Sequence, residues 1–179
     1  MVIRFPRVLI MNMNNVKIEN LIKECKQIEE DSTYTAEVHH ILEKRLSKRA
    51  FWYKFVPPSI TALSAFALIL GMPNWVSWVT MFSGIISIMS ILLEPEKKAK
   101  DHLFAAKNFT ILKHEARSLH ESFKDFMTEQ EFYHNVKHLR EKYNMLVQYS
   151  PPTEKEAFEE ARKRIQAGIH EADFKSEAK

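Results

Sequence analysis

FVPPSITALSAFALILGMPNWVSWVTMFSGIISIMSILL, residues 55–93, contains no Asp, Glu, Lys, Arg or His. A single α-helix crosses the hydrocarbon core of a bilayer with about 20 residues, and this run is nearly twice that length. Gly71-Met72-Pro73-Asn74 interrupts it near its middle. The pattern predicts two membrane-crossing helices, about 55–71 and about 75–93, joined by a very short turn. The first is rich in Ala and Ser and opens on Pro57-Pro58. Proline suits a first helical turn, where its missing N–H would lack a partner anyway. The second carries Val76, Val79, Phe82, Ile85, Ile86, Ile88, Ile91, Leu92 and Leu93. At roughly 0.3–0.6 kcal/mol each, these favour insertion by on the order of 3–5 kcal/mol, enough to carry this helix in, while the first, marginal alone, relies on it.

The flanks set depth and orientation. Trp52 and Tyr53 precede the first crossing, and Trp75 and Trp78 open the second. Rings with a polar tip settle at the headgroup level, so these four are the expected interface anchors. Lys44, Arg45, Lys48, Arg49 and Lys54 lie before the hairpin, and Lys97, Lys98 and Lys100 lie after it, while the turn has no charge. The positive-inside bias then places both termini in the cytoplasm and the turn outside.

Outside this block the chain is polar. Charged residues are 27% of the total and the net charge is +3, too small to argue for a nucleic-acid partner, and no basic or aromatic reading motif appears. Cys25 is the only cysteine, which excludes an intrachain disulfide and a four-cysteine metal site. The run Val8 to Met11, after Phe5-Pro6-Arg7, is shorter than a signal peptide's apolar region of about 7–15 residues.

The polar segments have helical periodicity. Ile18, Leu21, Cys25, Ile28, Ser32, Thr35, His39, Leu42 and Leu46 recur at spacings of three and four, with no Pro or Gly from Ile18 to Arg49. After Pro95 a helix is expected to about Phe126, with Phe109, Leu112, Ala116, Leu119, Phe123 and Phe126 on one stripe. Thr128 and Glu131 fit a capping box that opens a helix bearing Phe132, Val136, Leu139, Tyr143 and Leu146. Thr153 and Glu156 fit a second box before a last helix with Ala157, Phe158, Ala161 and Ile165. These stripes serve either assembly between copies or folding back within one chain. The expected fold is all-α: a flexible arm at 1–17, a cytoplasmic helix at 18–54, a transmembrane hairpin at 55–93, cytoplasmic helices at 94–170 and a frayed tail at 171–179.

No residues read as catalytic. The only glycines are Gly71, Gly84 and Gly168, so there is no phosphate loop, dinucleotide fingerprint or nucleophile elbow, and no cofactor is implied. His134 and His138 share a helix face, His114-Glu115 begins a zincin-like pattern that Ser118 breaks, and His39-His40 are adjacent. Each reads as a solvated or interface histidine, and no metal site is expected. The constellation of interest is Thr80, Ser83, Gly84, Ser87 and Ser90, a small and weakly polar face on the second crossing. It suits close packing against another helix or, in an oligomer, the lining of a pore. Glu94 and Glu96 follow it. In a symmetric assembly they form acidic rings at the cytoplasmic mouth; otherwise they only flank Pro95.

From about Leu21 to Ile165 the order of parts resembles the SLATT family, small two-span effectors of prokaryotic conflict systems. The likeness rests on a charged N-terminal helix and on Trp52-Tyr53-Lys54 before the hairpin, with a long helix directly after it. It extends to Tyr143-Asn144-Met145-Leu146, Pro151-Pro152, Ala157 and Ala161. The resemblance implies a pore-forming effector, multi-pass in the inner membrane of a bacterial or archaeal cell, that stays quiet until a partner senses infection and then permeabilises that membrane. It also implies homo-oligomers and partners such as a sensor protein or a nucleotide-signal protein. Two other readings stand beside it: a membrane-anchored helical scaffold for a cytoplasmic partner, and a soluble all-α protein with an apolar core hairpin.

Overall fold

With no Gly or Pro between Pro6 and Pro57 to stop it, the N-terminal segment forms one long helix, α1 (Arg7–Ile69). The structure is a computed structural model that describes residues 7–71 and 73–168, with side chains from Val16 onward. It continues with α2 (Trp75–Leu93), α3 (Pro95–Ser118), α4 (Glu129–Tyr149) and α5 (Lys155–Gln166). Among the described residues every element is helical, so the all-α expectation holds. Helix α1 already covers 7–17, the stretch expected to be a loose arm. The expected tail at 171–179 lies outside the described residues.

Pro57 and Pro58 lie inside α1 rather than opening a new helix. Proline's fixed φ is helical, and each ring removes its own N–H bond to the carbonyl four residues back and crowds that carbonyl. Those carbonyls belong to Tyr53 and Lys54, both exposed, where solvent or headgroups reach them. The N-terminal helix and the first apolar run are therefore continuous.

The chain forms two compact units. One comprises His40–Leu103; the other combines Met1–His39 with Phe104–Lys179. In the second unit the stripes of α1, α3 and α4 meet around Cys25, Ile28, Leu112, Ala116, Leu119, Phe132, Val136 and Leu139. The stripes thus fold back on one another within one chain. Burial raises the Cys25 thiol to about 11, with a smaller contribution from Glu24, so it is an inert packing group. His39, expected in solvent or at an interface, is 1% exposed and stacks on Phe109 at 5.9 Å. Helix α5 joins through buried Ala157 and Ala161, whose small side chains permit close approach, and through Phe158 stacked on Tyr34.

Ion pairs ring this core. Glu24 meets Arg140, Glu37 meets Arg164 and Glu115 meets Lys142. Glu29 accepts from Arg117 at 2.7 Å and lies 2.9 Å from His120 Nε2. Burial pushes the Glu29 carboxyl up, but hydrogen bonds from His120 and Arg117 and their charge outweigh it, leaving Glu29 below the ordinary carboxylate range.

Two expected details differ. Phe123 and Phe126, assigned to the α3 stripe, are 52% and 88% exposed. A π-helical turn at Leu119–Phe123 and a 3₁₀ turn at Lys124–Phe126 intervene. A π turn takes an extra residue per hydrogen bond, so the three-four spacing no longer tracks one face. The first capping box forms, with the Thr128 and Glu131 side chains each bonding the other residue's backbone N–H. The second does not: Glu154 is extended (φ −99°, ψ 146°) and occupies the cap position, one residue beyond Thr153.

Thr128→Ala should cost about 1 kcal/mol in denaturant unfolding of the detergent-solubilised chain, followed by far-UV circular dichroism. Glu29's depressed pKa gives stability that is present above its unfolded value near 4.5. That stability is lost as pH falls through the folded value. Glu29→Gln should therefore lower the unfolding midpoint at pH 7 and make it less sensitive to acidification below about pH 4.5.

Candidate functional site

The unit His40–Leu103 holds the hairpin of α1 and α2. Its turn depends on Gly71, which ends α1 at φ +79°, a left-handed conformation that costs other L-residues roughly 1–2 kcal/mol. Gly71 N–H donates to the Leu68 carbonyl, Pro73 follows, and Val76 N–H donates to the Pro73 carbonyl. Helix α2 returns alongside α1, burying Pro57 and Ser64 against Val76 and Ser83. Its other faces are exposed: Trp78, Phe82, Ile85, Ile88, Ile91 and Leu92 have no cover.

The small face of α2 is the one turned toward α1. Ser83, 5% exposed, donates its hydroxyl to the Pro57 carbonyl at 2.5 Å. Thr61 donates to the same carbonyl at 3.0 Å. Thr80, Ser87 and Ser90 donate to the carbonyls of Val76, Ser83 and Ser87 in their own helix. These three and Gly84 remain half-exposed, and a Cβ at Gly84 would meet nothing within 4 Å. Every hydroxyl of the stripe is thus satisfied by backbone, and only Ser83 is consumed by the contact between helices. Its acceptor, the Pro57 carbonyl, had no signal in the sequence, because only the register of the hairpin brings those residues together.

Glu94 caps α2 in a left-handed conformation (φ 43°), its N–H bonded to the Ile91 carbonyl, and Pro95 opens α3. Neither carboxylate at this end is isolated. Glu94 pairs with Lys97 at 3.2 Å, and Glu96 pairs with Lys100 at 3.1 Å and Lys54 at 3.5 Å. Lys100 and then Lys54 hold Glu96 below its ordinary pKa. A recess of about 210 Å³ lies here, lined by Ala50, Tyr53, Lys54, Ser90, Glu94 and Glu96. The anchors Trp52, Tyr53, Trp75 and Trp78 are all exposed. Trp52, Tyr53 and Trp78 border a longer apolar groove of about 550 Å³ between the two helices.

Among the described residues no group of three or more His, Cys, Asp or Glu is placed to hold a metal ion. His138 lies 3.9 Å from Glu141. One helix, beginning at Trp75, is long and apolar enough to cross a membrane, with a mean hydropathy of 2.0 over a window only 11% buried. The apolar part of α1 does not pass that measure among the described residues, since the helix ends at Ile69 and holds only 55–69 of the charge-free run. The core helix of a soluble protein is mostly buried, and this one is not buried within its own chain.

The model of one family, the SMODS and SLOG-associating 2TM effector domain family 4, matches residues 18–177. No curated protein and no solved structure matches the chain.

The turn and the stripe should respond differently to the same substitution. Gly71→Ala should lower the thermal midpoint in detergent through backbone strain of about 1 kcal/mol, since its Cβ meets open space. Gly84→Ala should leave the midpoint unchanged or raised, because a helical glycine gains up to about 1 kcal/mol on replacement by alanine. Equal effects at the two sites would contradict the geometry of the turn.

Proposed function

We propose, from the premise that the chain belongs to the SMODS and SLOG-associating 2TM effector domain (SLATT) family, that it is an inner-membrane effector whose hairpin crosses the bilayer twice and assembles with copies of itself into a pore. The observation that carries this reading is the exposure of α2. An uncharged helix of mean hydropathy 2.0, buried over only 11% of its most apolar window, is suited to lipid and not to water. The first crossing is the end of α1, brought in with α2 by the Ser83–Pro57 bond and the short turn. On this reading both termini are cytoplasmic and the turn at 71–74 is outside.

One hairpin cannot enclose water, so conduction requires several copies around an axis. The core stripes of α1, α3 and α4 are used within the chain, and assembly therefore falls to the uncovered faces of the hairpin. Thr80, Gly84, Ser87 and Ser90 are the half-exposed members of the small face and the ones proposed to line the pore. Their hydroxyls, satisfied by the helix backbone, retain lone pairs for passing water and ions. Glu94 and Glu96 carry lysine partners, so the cytoplasmic mouth is near neutral and the proposed pore discriminates weakly by charge. No catalytic residue and no cofactor enters the proposal. The trigger belongs to a separate sensor or nucleotide-signal protein.

A membrane-anchored scaffold is the second reading, favoured by one observation. The π and 3₁₀ turns after α3 present Phe123 and Phe126 to solvent, an aromatic pair suited to a cytoplasmic partner.

Induced expression in a bacterial host, followed with a voltage-sensitive dye, separates the two readings. The pore predicts depolarisation before growth arrest. It also predicts that Ser87→Leu, which fills the small face with a branched chain, abolishes depolarisation while the protein stays in the membrane fraction. Depolarisation by the mutant at the wild-type rate contradicts the proposed lining. A stable potential with wild-type protein in the membrane, and a co-purifying partner lost on Phe126→Ser, favours the scaffold.

A further inference from the structure

The groove between α1 and α2 lies on a face of α1 whose chemistry changes in one direction. Arg45, Arg49, Trp52, Val56 and Ile60 recur at spacings of four, three, four and four, so they share that face. Arg49 is exposed and Arg45 half-buried. The sequence along the face is guanidinium, guanidinium, amphipathic ring, then aliphatic. Trp52, Val56 and Ile60 line the apolar groove of about 550 Å³, closed on its other side by Trp78, Phe82 and Ile86 of α2. From Trp52 to Ile60 the helix rises about 12 Å, close to the depth of one leaflet in a core of about 30 Å.

From this gradient, and resting on the membrane placement proposed above, we propose that the groove is a binding site for one anionic phospholipid of the cytoplasmic leaflet. An acyl chain lies along Val56, Ile60, Phe82 and Ile86, the glycerol ester region meets Trp52, and the phosphate is held by Arg49 and Arg45. Arginine suits the last role because its planar fork donates two parallel hydrogen bonds to phosphate oxygens. Charge selects the occupant. Residues 43–54 and 94–101, which flank the hairpin, carry eight Lys or Arg against four Asp or Glu. An anionic headgroup complements and neutralises this net positive charge. Basic clusters immediately cytoplasmic of a membrane helix read as sites for anionic headgroups.

The tryptophans supply the test, since Trp52 and Trp78 border the groove. The full chain is reconstituted in phosphatidylcholine vesicles containing increasing fractions of either brominated phosphatidylglycerol or brominated phosphatidylcholine. Bromine on an acyl chain quenches an adjacent indole. The wild type should be half-quenched at a mole fraction of brominated phosphatidylglycerol on the order of tenfold below that of brominated phosphatidylcholine. Arg45→Gln with Arg49→Gln should make the two curves coincide. Val56→Phe, which fills the groove and leaves both arginines, should weaken quenching at low fractions of brominated phosphatidylglycerol. Coincident curves for the wild type overturn the site while leaving the membrane placement intact. A preference that survives the arginine double variant also overturns it. No quenching by either lipid overturns the membrane placement and the site together.

Discussion

A backbone N–H or carbonyl in hydrocarbon must find its partner inside the protein, and on the proposed placement that constraint governs residues 55–93. Helix satisfies it by default, which is why the apolar block is helical on both sides of its turn. Proline breaks the rule locally. The ring at Pro57 removes a donor, while the Pro57 carbonyl accepts from both Thr61 and Ser83. The hydroxyls of Thr80, Ser83, Ser87 and Ser90 either stitch α2 to α1 or return to their own helix, so this small face carries no unsatisfied group.

The same face explains why packing and pore lining are hard to separate. Close approach of two helices needs small residues, and so does a water-filled path. Here only Ser83 is committed to the contact, and the rest of the stripe is half-exposed. A hairpin with this property keeps its internal packing in an assembly and still has a polar edge to present. The acidic end is different. Glu96 shares two lysines, so charge at this end of α2 is set by pairs within one chain.

Much of this was legible in the sequence, for identifiable reasons. The charge-free run gave the hairpin, and the heptad-like spacing of Ile28, Leu112, Val136 and Leu139 gave the core of the second unit. Thr128 with Glu131 gave a true helix start. The failures share one cause, local backbone geometry that residue identity does not fix. Pro57-Pro58 looked like a helix start because proline suits one, yet its φ equally permits continuation where the freed carbonyls are exposed. Phe123 left its stripe because a π turn changes the count. Thr153 lost its cap because Glu154 stays extended. Within the site, the hydroxyl face of α2 could be read by spacing alone, but not the partner of Ser83, nor the lysines that neutralise Glu94 and Glu96.

The central claim is that residues 55–93 cross the bilayer twice, with the turn on the outer side. It is tested most directly by cysteine accessibility. Asn74→Cys adds an exposed thiol at the turn, while the native Cys25 is fully buried and serves as the silent control. A membrane-impermeant maleimide should label Asn74→Cys in intact spheroplasts and leave the unsubstituted chain unlabelled. Labelling of Asn74→Cys only after the membrane is opened would contradict the two-span topology on which the account rests.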